Sequence, residues 1–325
     1  MKQKIFYVFV LAALILSACG NLAGGQPVVA RVGWAGSPDT VNPGTAILTE
    51  AFTIFGLVYD AMYKLNLDGT FSLGLAESVE RSDDGLVYTY KIRQGIKFHD
   101  GQPLTAKDIK FSYDLYKTHE DFPYINAYTT YIESTEAPDD TTIVLTLSEA
   151  IPNIESQLVF MYILPEHIWG QYSEGSAAAE FENFEMIGTG PFKMIEYKQN
   201  EFVHLAANKD HFDTPPKVDE AIFQTFESQD VLVQAIKSGQ VDMIMEMPAT
   251  AVETLKSAAD VQVVNGAPFS PGVSDIIFNQ ITPENCPTDA GGLCTGHPAL
   301  QDRNVRLALA HATDKQKLID VVLLG

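Results

Sequence analysis

Basic side chains are scarce in this chain. It carries 21 Lys and Arg against 42 Asp and Glu, a formal net charge of −21 over 325 residues. So acidic a surface repels a phosphate backbone, which argues against a nucleic-acid partner, and it offers no basic patch to anionic lipid. Long apolar runs are scarce as well. Beyond the N-terminal stretch no segment reaches the ~20 apolar residues a membrane-spanning helix needs. Catalytic signatures are missing too. There is no Gly-x-Ser-x-Gly elbow, His119-Glu120 lacks the second His of a zinc-protease helix, and Asn66 and Asp68 do not complete a calcium loop. Gly188-Thr189-Gly190-Pro191 lacks the Lys-Ser/Thr of a phosphate loop and the spacing of a dinucleotide loop. His99-Asp100 has no nucleophile beside it, so His99 reads as a turn or interface residue. An exported hydrolase, the rival from a different class, would need such a nucleophile–base pair. No repeat or low-complexity stalk points to an adhesion protein. The reading is a non-enzyme with no cofactor and no metal. The length suits two domains, and 46% hydrophobic residues is ordinary for a globular protein.

What is present begins at the N-terminus. Lys2 and Lys4 precede an apolar run from Ile5 to Leu16, which leads into Leu16-Ser17-Ala18-Cys19-Gly20. Basic, apolar, then small is the order of a secretory signal. The small residues before Cys19 resemble the lipobox of a bacterial lipoprotein. That resemblance implies cleavage before Cys19, a lipid on Cys19, and an extracytoplasmic protein, in the periplasm or on the outer face of the cell membrane, anchored by that lipid. Residues 1–18 are then the signal and 19–27 a small-residue tether. An ordinary signal peptide with an incidental cysteine is the rival. The other two cysteines, Cys286 and Cys294, bracket a short loop. In an oxidising compartment an isolated pair reads as a disulfide, worth roughly 2 kcal/mol of local restraint. A metal site with His297 or Asp289 is the alternative, but zinc favours four ligands and tighter Cys spacing.

The pattern along the chain alternates strand and helix, the mark of an α/β protein. Residues 28–34 form a first strand. Apolar residues recur at helical spacing between 50 and 65. Residues 87–98 alternate as a strand, with Tyr88, Tyr90 and Ile92 on one face. Thr105 and Asp108 predict a capped helix over 106–117. Further strands are expected at 141–147, 192–197, 221–226, 241–245, 261–264 and 274–279, and a surface loop at 171–183. Helices are expected at 229–238, between Ser228 and Gly239, and at 249–258 and 305–312. Thr313 with Gln316 suggests a capping box for one more. Arg306, on a helix of small apolar residues, calls for an ion pair with Asp302 or Asp314 more than for ligand contact.

Several of these stretches belong together. Ser37-Pro38-Asp39-Thr40-Val41-Asn42-Pro43, Leu75-Ala76-Glu77-Ser78 and Ile92-Arg93-Gln94-Gly95-Ile96-Lys97-Phe98-His99-Asp100-Gly101 occur in that order. Gly188-Thr189-Gly190-Pro191-Phe192, then Phe278-Asn279, then Val305-Arg306-Leu307-Ala308-Leu309-Ala310 follow. Together they resemble the family 5 extracytoplasmic solute-binding proteins, the dipeptide- and oligopeptide-binding components of ABC importers. The resemblance implies a two-lobed α/β fold of the periplasmic-binding-protein kind, class II type. One lobe would use residues 28–45 and 185–268, residues 46–184 would be an inserted subdomain, and 269–325 would begin a second lobe. Family members continue further, so the chain is expected to be truncated there.

The resemblance also implies a monomer that captures a small peptide, or another small polar solute, between its lobes and delivers it to the transmembrane subunits of an ABC permease. Receptors for oligosaccharides, nickel chelates or opines share the fold. Tyr124, Tyr128 and Tyr131 are candidates for stacking on sugars. Trp34, Gly36 and Ser37 end the first strand, where α/β folds place ligands. Phe269, Ser270 and Gly272 would lie at the lobe crossing. All six are candidates for ligand contact, with core or hinge packing as the rival role. Gly188, Gly190 and Pro191 are expected to shape the backbone, the glycines by adopting angles closed to other residues.

Overall fold

The structure, a computed structural model, describes residues 26–245, 247–264, 276–286 and 294–323. Cys19 with the signal and most of the tether, and Phe269, Ser270 and Gly272, lie outside the described residues. The chain forms two compact units. One comprises the described residues up to Asn66 and from Thr70 to 245; the other comprises Leu67–Gly69 and the described residues from Met247 on.

The first unit opens with β1 (Val29–Trp34), a long loop, and helix α1 (Thr49–Val58). Next come β2 (Tyr63–Leu65), β3 (Phe71–Leu73), β4 (Ala76–Arg81), β5 (Val87–Ile92), helix α2 (Ala106–Thr118), β6 (Ile132–Asp139) and β7 (Thr142–Leu147). Helical turns occupy much of 154–180, and then β8 (Phe192–Lys198), β9 (Phe202–Ala207), β10 (Glu220–Thr225), helix α3 (Gln229–Lys237) and β11 (Met243–Ile244) complete the unit. Five strands make a mixed sheet in the order β11-β1-β10-β9-β8, in which β1 runs parallel to both neighbours. Strands β4-β5-β7-β6 make an antiparallel sheet, and β2 and β3 pair separately.

The reasons are local first. In β5 the alternation buries Tyr88, Tyr90 and Ile92. At α2, the Thr105 N–H donates to Asp108 Oδ2 at 2.9 Å and the Lys107 N–H to Thr105 Oγ1 at 3.3 Å, so two orphan donors are met. Asp108 is buried, and its second oxygen accepts from the Glu166 N–H at 3.1 Å. Ser228 caps α3, and Gly239, at φ +71°, ends it. One core of buried side chains then runs from Val32 to Phe223, dominated by aromatic rings such as Trp169, Tyr59, Tyr90, Tyr113 and Tyr116. Each contributes roughly 2 kcal/mol of apolar burial. A smaller cluster of Phe226, Leu232, Ala235 and Val241 packs α3 against its sheet.

Four expectations are corrected. Helical spacing continues to Met62, yet α1 stops at Val58. The Val58 carbonyl is taken by the Gly190 N–H at 2.9 Å, and Ala61 and Met62 give their carbonyls to Leu75 and Gly74 from an extended segment. Residues 171–183 contain the helical turns Gly170–Tyr172 and Ala177–Glu180 and bury Ala178, where a surface loop was expected. Residues 261–264 form no strand, and neither do 276–279, the described part of the strand expected at 274–279. Strands β4 and β6 escape the sequence pattern because their burial is irregular and many of their residues are polar, whereas β9 is missed despite burying Val203 and Leu205 in regular alternation.

The second unit holds the turn Val252–Lys256 and helix α4 (Arg303–Ala312). Cys286 and Cys294 are bonded, with Cα atoms 5.5 Å apart. Arg306 makes no ion pair among the described residues. Its guanidinium donates to the carbonyls of Leu300 and Gln301 at 2.7 and 2.9 Å. Both expected carboxylates serve as helix caps instead: Asp302 accepts from the Asn304 N–H and Asp314 from the Lys317 N–H. Asp314, not Thr313, is the cap of the last helix, while Thr313 Oγ1 donates back to Leu309. Among the described residues no helix is long and apolar enough to cross a membrane.

Candidate functional site

The carboxyl ends of three parallel strands meet in the first unit. Trp34 of β1 lies beside Thr225 of β10, and Gly33 beside Ile244 of β11. In α/β sheets this end is where ligands are held. At Gly33 a Cβ would come within 2.7 Å of the Leu232 side chain on α3, so glycine lets α3 pack closely here.

Three of the sequence-derived candidates are brought to this edge in different roles. Trp34 is buried, with its ring 5.0 Å from that of Phe223 and its indole N–H without a partner. Gly36 gives its carbonyl to Thr225 Oγ1 at 3.0 Å, and a Cβ there would overlap the Glu50 carboxylate. Ser37 Oγ accepts from the Asn200 N–H at 3.1 Å. Tyr197, whose phenol donates to the Pro38 carbonyl at 3.0 Å, closes the same corner.

The side chains that shape the loop after β1 are ones the sequence reading did not assign. Asp39 accepts from the Ile47 and Leu48 N–H groups at 2.9 and 3.3 Å. Asn42 is almost wholly buried. Its Oδ1 accepts from the Gly44 N–H, and its Nδ2 donates to the carbonyls of Ala178 and Phe181, all at 2.8 Å. The signal was available, since Asp and Asn folding back on their own backbone is ordinary turn chemistry. The polar groups of this loop are committed to holding its shape, so the rim is rigid.

A second network fixes the glycine loop. Neither Gly188 nor Gly190 adopts the left-handed angle that their glycine identity suggests. What they supply is close approach: a Cβ on either would overlap the backbone of Val58 at the end of α1. Asn208 donates to the Gly190 carbonyl at 3.0 Å, and the Asn208 N–H donates to that of Pro191 at 2.7 Å. Thr189 Oγ1 donates to Asp60 at 2.8 Å, and His211 Nε2 lies 3.3 Å from both Asp60 oxygens. His99 contacts the same loop through both ring nitrogens, and burial pulls its pKa below the ordinary value. Asp60, His99 and His211 do not form a metal centre, and the described residues hold no cluster suited to one. Of the tyrosines considered for sugar stacking, Tyr128 and Tyr131 pack against the core and Tyr124 is 52% exposed. The arrangement holds and positions.

Residues 70–325 match the model for the bacterial extracellular solute-binding proteins, family 5. The chain belongs to that family. Its members are transport receptors and not enzymes. This family 5 protein is 31% identical, over 324 residues, to a Brucella ovis protein provisionally named an ABC transporter peptide-binding protein; the match covers 98% of this chain and 56% of that one. It is 27% identical to the oligopeptide-binding protein AppA of Bacillus subtilis over 337 residues, covering 98% of this chain and 58% of AppA. The solved structure of AppA with a nonapeptide superposes with a TM-score of 0.74 at 25% identity, over 92% of this chain and 57% of AppA. NikZ from Campylobacter jejuni, solved with Ni(L-His), has the same fold at 21% identity and a TM-score of 0.75, over 92% of this chain and 56% of NikZ. The fold is thus the α/β fold of family 5 periplasmic binding proteins. The family 5 chain spans a little over half the length of the relatives it matches.

Proposed function

We propose that this protein is an extracytoplasmic solute-binding receptor of an ABC importer that captures peptides and hands them to the membrane permease. The observation that carries the reading is the match to AppA over nearly the whole chain, in sequence and in fold, because AppA is an oligopeptide-binding protein solved with a peptide bound. The local geometry supports it. The loop after β1 lies at the carboxyl ends of parallel strands, where α/β folds place ligands. Phe269, Ser270 and Gly272 are proposed as ligand contacts as well. The protein acts as a monomer, attached outside the cell through a lipid on Cys19, and the Cys286–Cys294 bond agrees with an oxidising compartment.

Calorimetric titration with defined peptides of two to nine residues tests the reading. Saturable heats with peptides of differing side chains are expected. Tight binding of an oligosaccharide, a nickel–histidine chelate or an opine, with no peptide bound, overturns it. Labelling cells with a radioactive fatty acid tests the anchor: Cys19→Ala abolishes incorporation and releases the protein from membranes.

A further inference from the structure

A cavity of about 790 Å³ opens in the first unit between residues 165 and 187. Its volume is in the range that holds a small organic ligand. The wall is aromatic. The Phe181 ring lies nearly parallel to Tyr172, with centroids 4.2 Å apart at 15°, and edge-on to Trp169 at 4.9 Å; Trp169 is fully buried behind them, so the accessible ring surface is that of Tyr172, Phe181 and Phe184. Phe184, also in the lining, is 55% exposed.

The charge of this cavity has one sign. Glu180, Glu182 and Glu185 are its charged lining residues, and no Lys, Arg or His lines it. The segment is also held in a costly shape. Asn183 and Met186 adopt φ of 52° and 42°, left-handed angles that cost non-glycine residues about 1 kcal/mol or more each. The surroundings enforce them: Met186 is fully buried, and Asn183 Nδ2 donates to the Val41 carbonyl at 2.7 Å and to Tyr59 Oη at 2.9 Å. Between these two residues lie Phe184 and Glu185.

Ring faces and carboxylates attract the same kind of ligand. An anion is repelled by the three glutamates. A neutral apolar molecule gains the rings but removes water from carboxylates that it cannot pair. An alkylammonium group gains from both, through its attraction to ring faces and to the carboxylates. We propose that this groove is a binding site for a small organic cation with an alkylammonium head. The proposal does not rest on peptide capture, although Phe181 and Asn183 of the lining hydrogen-bond to Asn42 and Val41 in the loop after β1.

Calorimetry on the full chain with choline as the probe tests it, with 3,3-dimethylbutan-1-ol as the neutral isostere. Saturable choline binding is expected, roughly tenfold tighter than that of the isostere. Glu182→Gln with Glu185→Gln, both exposed and remote from the core, weakens choline binding at least several-fold and narrows the gap to the isostere. Phe184→Ala weakens choline binding without changing the circular dichroism spectrum. Equal binding of choline and the isostere, choline affinity unchanged in the double glutamine variant, or no saturable choline binding at millimolar concentration overturns the proposal. Peptide titrations of the double glutamine variant stay unaltered, which separates failure of this site from failure of the peptide reading.

Discussion

His99 and Gly188 exchange two hydrogen bonds. The His99 N–H donates to the Gly188 carbonyl at 2.8 Å, and the Gly188 N–H donates to His99 Nδ1 at 3.3 Å. With Nδ1 accepting, the ring proton resides on Nε2, which donates to the Gly190 carbonyl at 3.0 Å. The neutral tautomer is therefore built into the contact, and a second proton has no acceptor at Nδ1. Burial, the largest influence, lowers the His99 pKa; Lys193 and His211 push the same way, while the Gly190 carbonyl and Asp60 oppose them.

Acid sensitivity follows. Because the folded pKa lies below the unfolded value of ~6.5, the unfolded chain binds more protons in that interval. The contribution of His99 is whole above ~6.5 and shrinks as the pH falls from there towards the folded pKa. Urea unfolding across this window loses stability in the native chain, and His99→Gln flattens that portion of the profile. An identical slope in the variant assigns the acid sensitivity to other groups.

Gly190→Ala costs about 1–3 kcal/mol, because the added methyl meets the backbone of Val58, which cannot retreat like a side chain end. Gly95→Ala is the control. Gly95 has φ +81° with open space around it, so its cost is backbone strain of roughly 1 kcal/mol. Denaturation midpoints rank the two, and a costlier Gly95 variant contradicts the close-approach role.

Asn42→Ala removes two donated bonds and one accepted bond within a buried loop. It leaves the carbonyls of Ala178 and Phe181 unmet and destabilises by roughly 2–3 kcal/mol. Hydrogen exchange reads the consequence twice, with faster exchange both in 39–48 and in 177–183. Faster exchange in one segment alone refutes the coupling.

Reducing the Cys286–Cys294 bond loosens the second unit by roughly 2 kcal/mol, the restraint expected for so short a loop. Limited proteolysis in dithiothreitol then cleaves near residues 276–300 while the first unit stays intact. Unchanged protection there shows that the bond contributes no stability.

Much of this protein is written in local patterns. The alternation in β5, the Thr105–Asp108 box of α2 and the Ser228-to-Gly239 frame of α3 depend on residues only a few positions apart, so spacing suffices to read them. The ordered motifs of the family were equally legible. What spacing could not supply is whatever depends on distant chain segments. The end of α1 is decided by Gly190, 132 positions after Val58, and the shape of the β1 loop by the backbone at Ala178 and Phe181. Arg306 shows a different limit, since its partners lie only five and six positions back. Its carboxylate neighbours were visible in sequence, but both were needed as helix caps, and only the folded backbone offered the free carbonyls that took the guanidinium. Local hydrogen bonding and hydrophobic periodicity thus determined the elements, while competition among distant groups for the same donors and acceptors decided where they end and what they hold.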